Sequence, residues 1–379
     1  SMAGPAKPGQ ILVVNAGSSS IKFAVFDAGF QRHLSGMAAD IPGTGRLQIG
    51  GAERPARFDD YSSALNMIFE LLAERGVHLA NLRAAAHRVV HGGANLSAPC
   101  AITPAIRSEI ANAAALAPLH NPANLAAIDA IAARAPDLPQ FASFDTGFHT
   151  TNSPEARTYS LPSEWRNKGL QRYGFHGISF SALVDNHPMP LPARLLACHL
   201  GNGASLCAIK NGLSCATTMG FSPVSGLSMG SRTGDIDAMA VLAIADELGV
   251  EGTRKLLNHK SGLSALAGSN NMRRLLASDD TGARFAVSHF IHWTVQHAGA
   301  MIATMGGLDA VAFTGGIGEN APEIRAGILD GLGWLGIKYN TELNLENARR
   351  LHSLDSAVQV YIVPSDEELR IAQNAAGLM

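Results

Sequence analysis

The feature that most constrains the fold is a repeated unit, in which a strand, a Gly/Ser-rich turn and a returning strand follow one another. One copy, VVNAGSSSIKFAVFDAG, starts near residue 11, and the other, RLLACHLGNGASLCAIKNG, starts at residue 194. Each copy predicts a hairpin, because two apolar runs of strand length flank a short turn. Two related copies predict two related halves, and such halves commonly enclose a ligand-binding cleft.

Length and charge narrow the class of protein. The 379 residues exceed the usual size of one domain, and a hydrophobic content of 46% is enough for sizeable cores. Lys and Arg number 29 against 31 Asp and Glu, a formal net charge of −2. This balance provides no electrostatic footprint for nucleic acid or an anionic membrane, so neither partner is expected. A small-molecule enzyme fits these properties better.

The cysteines and the N-terminal stretch indicate the cellular compartment in which the protein is expected. Cysteine occurs without C-x-x-C spacing, at Cys100, Cys198, Cys207 and Cys215. This disfavours a zinc ribbon, a redox pair or a disulfide framework, and we expect buried thiols. No apolar run approaches the ~20 residues of a membrane span, and SMAGPAKPGQ lacks the apolar core of a signal peptide. We expect a cytoplasmic protein, with Ser1-Met2 as the remnant of an expression tag.

Strand and helix patterns alternate along the chain, which predicts an α/β fold. Strands are predicted at 11–17, 21–26 and 84–91, ahead of Asp145, on both sides of the 201–203 turn, and at 309–313 and 358–363. Helices are predicted at 61–75, 283–305 and 322–332, and at the C-terminal end.

Three turns rich in Gly or Ser directly follow predicted strands, at 16–20, 201–203 and 315–318. Small residues let backbone N–H groups approach phosphate oxygens closely. Any one of them alone is typical of an ordinary tight turn, but three in one chain favour a nucleotide. None matches a P-loop or a G-x-G-x-x-G turn, which disfavours the common nucleotide-binding folds.

Two arginines stand in unusual settings. Arg88 lies within an apolar strand, and Arg232 lies in the Gly-rich segment 226–234. A guanidinium in such a place suits a carboxylate or a transferring phosphoryl group, which it binds bidentately. The structural alternative is an ion pair, for instance between Arg232 and Asp235.

Carboxylates at strand ends are candidates for a metal. Asp145 and Glu367 each follow a predicted strand, and Mg²⁺ prefers a few protein oxygens together with water and phosphate. Ser365 and Glu368 have the spacing of a capping box. This predicts that Glu368 caps the final helix and leaves Glu367 for the metal.

Two further patterns have competing interpretations. His120 and His176 lie in apolar or Gly-rich surroundings, where a histidine is commonly a hydrogen-bonded core residue, and no zinc-site spacing occurs. Residues 226–230 form a literal G-x-S-x-G, the nucleophile elbow of α/β-hydrolases. The segment before it contains Pro223 and polar residues, which are poor strand material, so a hydrolase is disfavoured.

Taken in order, the motifs resemble the acetate kinase family of the acetate and sugar kinase/heat-shock/actin superfamily. They are VNAGSSSIKF, HRVVHGG, LAPLHNP, FDTGFH, RYGFHG, HLGNGAS, GLSMGSRTGDID, FTGGIGEN and PSDEEL, which run from about residue 11 to about 375. The resemblance implies two actin-like (ribonuclease H-like) α/β domains, each on a βββαβαβα core, with a nucleotide cleft between them. We place the first at 10–190, with the final helix at about 365–378 packing back on it, and the second at 191–364.

The resemblance also implies a reaction, cofactors and site residues. The reaction is the reversible phosphorylation of acetate to acetyl phosphate with ATP/ADP and Mg²⁺, for which Mn²⁺ can substitute, in a homodimer. Catalytic roles fall on Arg88, Asp145, His176 and Arg232, and metal binding on Asn15 and Glu367. Acyl-substrate binding falls on Arg88, Val90, Leu119, His120, Phe175 and Pro223. Nucleotide binding falls on Lys22, His199, Leu200, Gly201, Asn202, Gly203, Asn271, Met272, Arg273, Gly316, Ile317, Gly318, Glu319 and Asn320.

The chain departs from the family's pattern at a few positions. Ile178 and Phe180 replace the threonine and the second histidine of FHGTSH, and Ala216 stands where Asp is common. Asn271 stands where Asp is common, and Asp366 where Asn is common. The change at Asn271 bears on the nucleotide base, so the nucleotide preference stays open.

The expected mechanism is direct in-line transfer. A carboxylate with a pKa of about 4–5 is ionised at neutral pH, so it needs no general base. It needs charge neutralisation around the transferring group, which Arg88, Arg232 and His176 can supply. A propionate kinase and a non-catalytic ATP-switched module are the alternatives. Acetate is favoured because Val90 leaves little room beside Phe175.

Overall fold

The computed structural model describes residues 9–379, so Ser1 and Met2, the predicted tag remnant, lie outside the described residues. The described chain is α/β, as predicted. It forms two compact units. The first contains the described chain up to Phe148 together with Asp366–Met379, and the second is His149–Ser365.

The first unit is built on one sheet, in which eight strands pair among the described residues. They are β1 (Ile11–Ala16), β2 (Ser20–Phe26), β3 (Arg32–Ala39), β4 (Gly43–Ile49), β5 (Ala52–Phe58), β6 (Ala84–Val89), β7 (Cys100–Ala101) and β8 (Gln140–Phe144). Their order is β5-β4-β3-β2-β1-β6-β8-β7. β1 pairs antiparallel with β2 and parallel with β6, which in turn pairs parallel with β8.

The second unit repeats this arrangement with fewer strands. They are β9 (Arg194–Leu200), β10 (Ala204–Lys210), β11 (Leu213–Thr217), β12 (Ala310–Thr314) and β13 (Gln359–Ile362), in the order β11-β10-β9-β12-β13. β9 is antiparallel to β10 and parallel to β12, just as β1 is to β2 and β6. The two hairpins predicted from the sequence repeat are therefore confirmed as the first two strands of each sheet.

Helices occur in both units. They are α1 (Tyr61–Glu74), α2 (Pro104–Asn112), α3 (Asn121–Arg134), α4 (Pro154–Arg157), α5 (Ser163–Arg166), α6 (Gly177–Asn186), α7 (Ala238–His259), α8 (Gly262–Ala267), α9 (Met272–Leu276), α10 (Thr281–Met305), α11 (Gly315–Asn320), α12 (Pro322–Gly331), α13 (Thr341–Leu345) and α14 (Glu367–Ala376). Short 3₁₀ helices lie at Leu79–Asn81, Ala113–Ala115, Gly147–Thr151 and Gly333–Leu335. Within residues 9–379, none of the helices has both the length and the apolar character that crossing a bilayer requires.

The core of the first unit lies between its sheet and the apolar faces of helices. α1 begins at Asp60, whose side chain accepts the N–H of Ser63, and it buries Leu65 and Leu72 in the same cluster as Phe23 of β2. On the same sheet, α14 packs against β1, β6 and β8 and buries Ile371. The last helix of the chain thus completes the unit that contains the first strand.

The core of the second unit lies under α10. This helix, predicted at 283–305, packs on β9, β10 and β11 and buries Ala286, Phe290 and Thr294. Residues 149–186 also bond to this unit, since Thr151 Oγ1 donates to the Ser214 carbonyl at 2.6 Å and α6 packs on β9. The division by packing therefore falls after Phe148, whereas the sequence places the domain boundary after residue 190.

Some elements differ from the sequence-based expectation. β3, β4 and β5 were not predicted, because they are rich in Gly and Arg and include Pro55. Proline is tolerated there since β5 is the edge strand, where an N–H is not needed. Gly36 is required by close packing, because a Cβ there would lie 2.1 Å from the Gln48 carbonyl oxygen. The predicted turn at 315–318 is instead the start of α11.

The four cysteines are free thiols. Cys198 and Cys207 are fully buried, and burial raises the pKa of each well above its ordinary value. Cys100 and Cys215 are only half-buried, so the expectation of burial holds for two of the four.

Candidate functional site

In the first unit, three predicted site residues meet at the carboxyl ends of adjacent parallel strands. Asn15 lies in β1, Arg88 lies in β6, and Asp145 directly follows β8. Nε of Arg88 lies 3.0 Å from each carboxylate oxygen of Asp145, and its Nη1 lies 3.3 Å from Oδ1 of Asn15. Nη2 of Arg88 makes a further, short contact with Asp145. The carboxylate is buried, so it holds the guanidinium from the interior of the unit.

Electrostatics keep Arg88 charged. Burial acts to lower the pKa of its guanidinium, but Asp145 and Glu367 outweigh burial, and the pKa stands above its ordinary value. Glu367 is the first residue of α14, so the final helix brings a second carboxylate towards this arginine. We call Asn15, Arg88, Asp145 and Glu367 the Arg88 cluster.

The first Gly/Ser-rich turn, between β1 and β2, is supported from two helices. The turn closes on itself, since the Gly17 N–H donates to the Ser20 carbonyl at 2.7 Å. Asn124 of α3 donates to the Ala16 carbonyl at 2.8 Å, and the hydroxyl of Tyr61, on α1, donates to the Gly17 carbonyl. The turn stands out in the sequence, whereas Tyr61 and Asn124, which bind its carbonyl groups, do not.

Two asparagines of α3 fix the chain that follows β6. The N–H of Val90 donates to Asn124 Oδ1 at 3.0 Å, and the N–H of His91 donates to Asn121 Oδ1 at 3.1 Å. Both asparagines are buried, as is Val90. The predicted acyl-pocket residue Val90 therefore has a fixed backbone position. Two asparagines three residues apart in the mostly apolar first half of this helix are a signal that the sequence offered.

Three further predicted site residues belong to the first unit, namely Leu119, His120 and Lys22. Leu119 and His120 are half-buried, and His120 is the N-cap residue of α3 without a side-chain capping bond. Lys22 is exposed on β2, directly opposite Asn15 in the hairpin register.

The predicted capping box at Ser365 and Glu368 is wrong. α14 begins one residue later, and its N-cap is Asp366, whose carboxylate accepts the N–H of Leu369 at 3.1 Å. Aspartate caps a helix as well as serine does, and this shifts the frame by one residue. Glu368 instead lies 3.5 Å from Arg32, and burial raises the pKa of its carboxyl group. Asp366, where the family commonly has Asn, also pairs with Arg32, at 2.7 Å.

In the second unit, two predicted histidines stack ring on ring. The ring centroids of His176 and His199 are 4.1 Å apart, with planes inclined by 25°. Nδ1 of His176 lies 2.8 Å from Oγ of Ser205, and Nδ1 of His199 lies 2.7 Å from Oγ of Ser179. Phe180, one of the departures from the family pattern, is buried and meets the His199 ring edge-on at 6.3 Å.

Gly203 marks the point where His176 and Arg232 converge. A Cβ at Gly203 would lie 3.2 Å from Nη1 of Arg232 and 3.4 Å from Nε2 of His176. The loop that carries Arg232 is tied to this turn, because the Gly230 N–H donates to the Asn202 carbonyl at 3.0 Å. A guanidinium and an imidazole nitrogen therefore lie beside one glycine turn.

Neighbours of Arg232 explain its orientation. Its Nη1 lies 3.3 Å from the carbonyl oxygen of Pro223, another predicted substrate residue. Asp235, the alternative partner considered for this arginine, lies 3.2 Å from His297 and accepts the N–H of Gly226 at 2.7 Å. Phe175, next to His176, is buried.

The predicted nucleotide residues after β12 form a short helix with internal side-chain bonds. The Gly315 N–H donates to Glu319 Oε2 at 2.9 Å, and Asn320 Nδ2 donates to the Gly316 carbonyl at 2.9 Å. Burial raises the pKa of Glu319. Gly318 is buried between Ile317 and Glu319, whereas Gly316 is exposed.

Arg325, on α12, donates a hydrogen bond to this helix and was not predicted from the sequence. It is fully buried, its Nη1 donates to the Gly318 carbonyl at 2.9 Å, and its Nε donates to Asn344 Oδ1 at 2.8 Å. No acidic group of residues 9–379 forms an ion pair with it, and burial lowers the pKa of Arg325 to about 10. In the sequence it is one charge on an ordinary amphipathic helix, so nothing marks it.

Asn271 keeps a structural role despite its departure from the family pattern. It is the N-cap of α9, and its Oδ1 accepts the N–H of Arg274 at 3.1 Å. Aspartate would cap in the same way, so the substitution preserves the start of the helix. Met272 is buried and Arg273 is exposed. Leu200, at the end of β9, is buried.

Comparison with known proteins decides the family. The sequence pattern of the acetokinase family matches residues 10–373. The chain belongs to the acetokinase family. This confirms the resemblance that the ordered motifs indicate.

Individual relatives of this acetokinase-family protein match over nearly their full length. The acetate kinase of Nitrobacter hamburgensis is 40% identical over 388 residues, which cover 97% of this chain and 96% of that protein. The crystal structure of a propionate kinase from Francisella tularensis subsp. tularensis has a TM-score of 0.92 at 34% identity, covering 98% of this chain and 100% of that one. That of Porphyromonas gingivalis acetate kinase has a TM-score of 0.88 at 31% identity, covering 98% and 99%. The predicted two-domain actin-like fold is confirmed.

Members of the acetokinase family use a nucleotide and a divalent metal, and the first unit contains oxygen donors that fit such an ion. Among residues 9–379, no group of three or more His, Cys, Asp or Glu side chains could hold a metal. A hard cation that also binds nucleotide phosphates needs only one or two protein oxygens and water. Oδ1 of Asn15 and the carboxylate of Glu367 are such oxygens within the Arg88 cluster.

Proposed function

We propose that this protein catalyses the reversible transfer of the γ-phosphoryl group of ATP to acetate, which gives acetyl phosphate and ADP. The observation that carries the proposal is the convergence of His176 and Arg232 on Gly203, within 3.2–3.4 Å of the position that a Cβ would take. Donors fixed around a backbone turn suit a group whose charge is spread over several oxygens.

Transfer proceeds by attack of an acetate oxygen on the γ-phosphorus, with rupture of the bond to the β–γ bridging oxygen. Acetate is ionised at neutral pH, so no residue has to remove a proton. Arg88, held by the buried Asp145, neutralises negative charge on the substrate side. Arg232 and His176 donate to the oxygens of the transferring group, where charge develops.

A divalent metal neutralises nucleotide phosphate charge when it is bound. We propose Mg²⁺, with Mn²⁺ as a substitute, held by Asn15 and Glu367. The nucleotide contacts proposed in the second unit are His199–Gly203, Asn271–Arg273 and Gly316–Asn320, together with Lys22 in the first unit. A cytoplasmic location stays a prediction.

A direct assay tests the proposed reaction. Purified protein is incubated with ATP, Mg²⁺ and a panel of short carboxylates, and acyl phosphate is trapped with hydroxylamine. We expect acetyl hydroxamate to form in proportion to enzyme. Arg232→Ala, purified in parallel from the same host, serves as the control for a contaminating kinase. Absence of acyl hydroxamate with every acid would contradict the proposal.

Propionate is the second candidate substrate, and the similarity to the Francisella tularensis propionate kinase favours it. We propose acetate as the better substrate, because the buried Val90 is held in place by the bond from its N–H to Asn124. An apolar pocket discriminates one methylene by about 1–3 kcal/mol, so we expect a preference of roughly 10-fold.

Val90→Ala separates the two acids. It removes two methyl carbons from the proposed acyl pocket and should shift the ratio of kcat/KM values towards propionate, chiefly through KM. The ratio is measured for both acids in the wild-type and variant proteins. An unchanged ratio would remove Val90 from the pocket, and a wild-type preference for propionate would replace acetate as the substrate.

We propose that α7 forms the homodimer contact. Within this helix only Thr253 is buried, although its first half is apolar. Met239, Leu242 and Val250 are 65%, 56% and 68% exposed. A group of large apolar side chains this exposed is typical of a protein–protein interface.

Light scattering after gel filtration tests the dimer. The wild-type protein should have twice the mass of one chain, and Leu242→Glu should shift it towards the monomer, because a charge would be buried in the contact. Leu354→Glu is the matched control, since Leu354 is 92% exposed and lies outside this surface. A monomeric wild-type protein would contradict the proposal.

A further inference from the structure

We propose that Ser205 is a positioning residue that fixes the tautomer of His176. In this arrangement the Ser205 hydroxyl donates to Nδ1, so the ring proton resides on Nε2, the atom that lies beside Gly203. The inference rests on the proposed function, in which His176 donates to the transferring group.

Two side chains of the β9–β10 hairpin contact the His176 ring. His199 and Ser205 are direct cross-strand partners in β9 and β10. His199 stacks on one face of the His176 ring at 4.1 Å, and Ser205 reaches Nδ1 at 2.8 Å. Ser205 is completely buried, so no solvent competes for this bond. The ring is thus held both by a face contact and by a hydrogen bond at its edge.

The backbone at His176 makes this support necessary. Its φ of +58° places it in the left-handed region, which is uncommon for a residue other than glycine. Strained backbone of this kind persists where the surroundings fix it, and it is concentrated at functional sites. As the N-cap of α6, His176 makes no side-chain capping bond, so its imidazole is directed elsewhere.

The chemistry of imidazole determines which tautomer is useful. A neutral ring has one nitrogen that donates and one that accepts. Nε2 lies beside Gly203, as does Nη1 of Arg232, and a guanidinium has no acceptor atom. To donate to a phosphoryl oxygen, Nε2 must carry the proton, and Nδ1 must then accept. A serine hydroxyl can donate or accept, and Ser205 supplies the donor that this tautomer needs.

The neighbouring pair provides a matched comparison. Ser179 reaches Nδ1 of His199 at 2.7 Å and lies 2.9 Å from the hydroxyl oxygen of Ser365. The Ser179–His199 hydrogen bond is therefore chemically similar to the Ser205–His176 hydrogen bond, but it is made by the other imidazole of the stacked pair. Ser179→Ala removes one hydroxyl of the same kind without touching Nδ1 of His176.

Kinetics and NMR together test the proposal. Ser205→Ala should lower kcat about 10-fold, the effect expected when one hydrogen bond of moderate strength is lost, with KM for ATP within about 2-fold of wild type. Ser205→Thr keeps the hydroxyl and should restore most of kcat. In ¹⁵N-histidine-labelled protein, with the resonance assigned through His176→Gln, Nδ1 should be the unprotonated nitrogen of His176. This assignment should weaken in Ser205→Ala and persist in Ser179→Ala.

Each outcome is decisive. A protonated Nδ1 in the wild-type protein, or a Ser205→Ala variant with unchanged kcat and tautomer, overturns the role of Ser205. Equal losses in Ser205→Ala and Ser205→Thr also overturn it, because they would indicate packing rather than a hydrogen bond. If His176→Gln itself leaves kcat unchanged, the proposed role of His176 fails, whereas the NMR result still reports on its tautomer.

Discussion

At the scale of single residues, Arg88 and Arg232 differ in how the protein holds them. Arg88 faces a buried carboxylate, that of Asp145, through three short or moderate contacts. Arg232 is directed by the carbonyl of Pro223 and by the loop that contains it. Arg88 is therefore part of a structural ion pair as well as of the proposed site.

Arg88→Ala and Arg232→Ala should each lower kcat by at least ~100-fold, because each removes a preorganised positive charge. Arg88→Ala should also lower the melting temperature, since it leaves the buried carboxylate of Asp145 without this cation. Initial rates and calorimetry on the two variants check this. Wild-type turnover in either variant would exclude that arginine from the reaction, and a wild-type melting temperature in Arg88→Ala would contradict the structural role of Arg88.

The residues that sequence analysis singled out were those with an unusual setting. Arg88 stands out in an apolar strand, and Asp145 stands out at the end of another. Ser205 and Arg325 could not be found in this way, because a serine in a strand and an arginine on a helix are common. Their roles depend on which atom lies next to them, Nδ1 of His176 in one case and the Gly318 carbonyl in the other.

At the scale of elements, the acidic residues at the start of α14 have different roles. Asp366 caps the helix, Glu367 belongs to the Arg88 cluster, and Glu368 lies near Arg32. Asp366 and Glu368 therefore both lie against Arg32, whereas Glu367 acts on Arg88. Sequence spacing alone assigned the cap to the wrong frame, because Ser365 and Asp366 are both good capping residues.

Substitutions in this turn should separate these roles. Glu367→Gln should raise the Mg²⁺ concentration needed for half-maximal activity, because one proposed oxygen ligand loses its charge. Asp366→Ala should lower the free energy of unfolding by about 0.5–2 kcal/mol through loss of the cap. A metal titration and a urea titration on both variants measure the two effects. A shifted metal requirement in Asp366→Ala alone would contradict the assignment of Glu367.

Periodic elements were the predictable ones. The hairpins near residues 11 and 194 and the long helix α10 followed from apolar patterns. α7 was not predicted, since its first half is apolar on most faces and its course breaks at Gly249, with a φ of +70°. An exposed helix that is apolar on most faces lacks the alternation of apolar and polar residues by which an amphipathic helix is recognised.

At the scale of the whole molecule, the same strand order occurs in both units. A central strand has its hairpin partner on one side and parallel strands on the other, in β2-β1-β6-β8 and in β10-β9-β12-β13. The sequence repeat predicted this likeness from two short segments. The repeat does not extend to the final helix, whose packing against the first unit was predicted from the family resemblance alone, because its contact with β1 joins residues far apart in the sequence.

Ile371→Ala should destabilise the first unit selectively. Ile371 is 1% exposed on the face of α14 that packs against β1, β6 and β8, and a buried Ile→Ala change costs about 2–5 kcal/mol. Hydrogen exchange followed by mass spectrometry should show faster exchange in β1, β6 and β8, with β9 and β12 close to wild type. Ile209→Ala, a fully buried position in β10, is the reciprocal control. Equal acceleration in both sheets would show that the two units unfold together.

The position of α14 also sets an order for folding during synthesis. Every strand of the first sheet leaves the ribosome before any strand of the second, yet the helix that covers β1, β6 and β8 is translated after all of them. The second unit is covalently complete at Ser365, while the first still lacks its last fourteen residues, Asp366–Met379. The nascent chain therefore carries an uncovered apolar sheet face through most of its translation. The unit whose strands are translated first is therefore the unit whose packing is completed last.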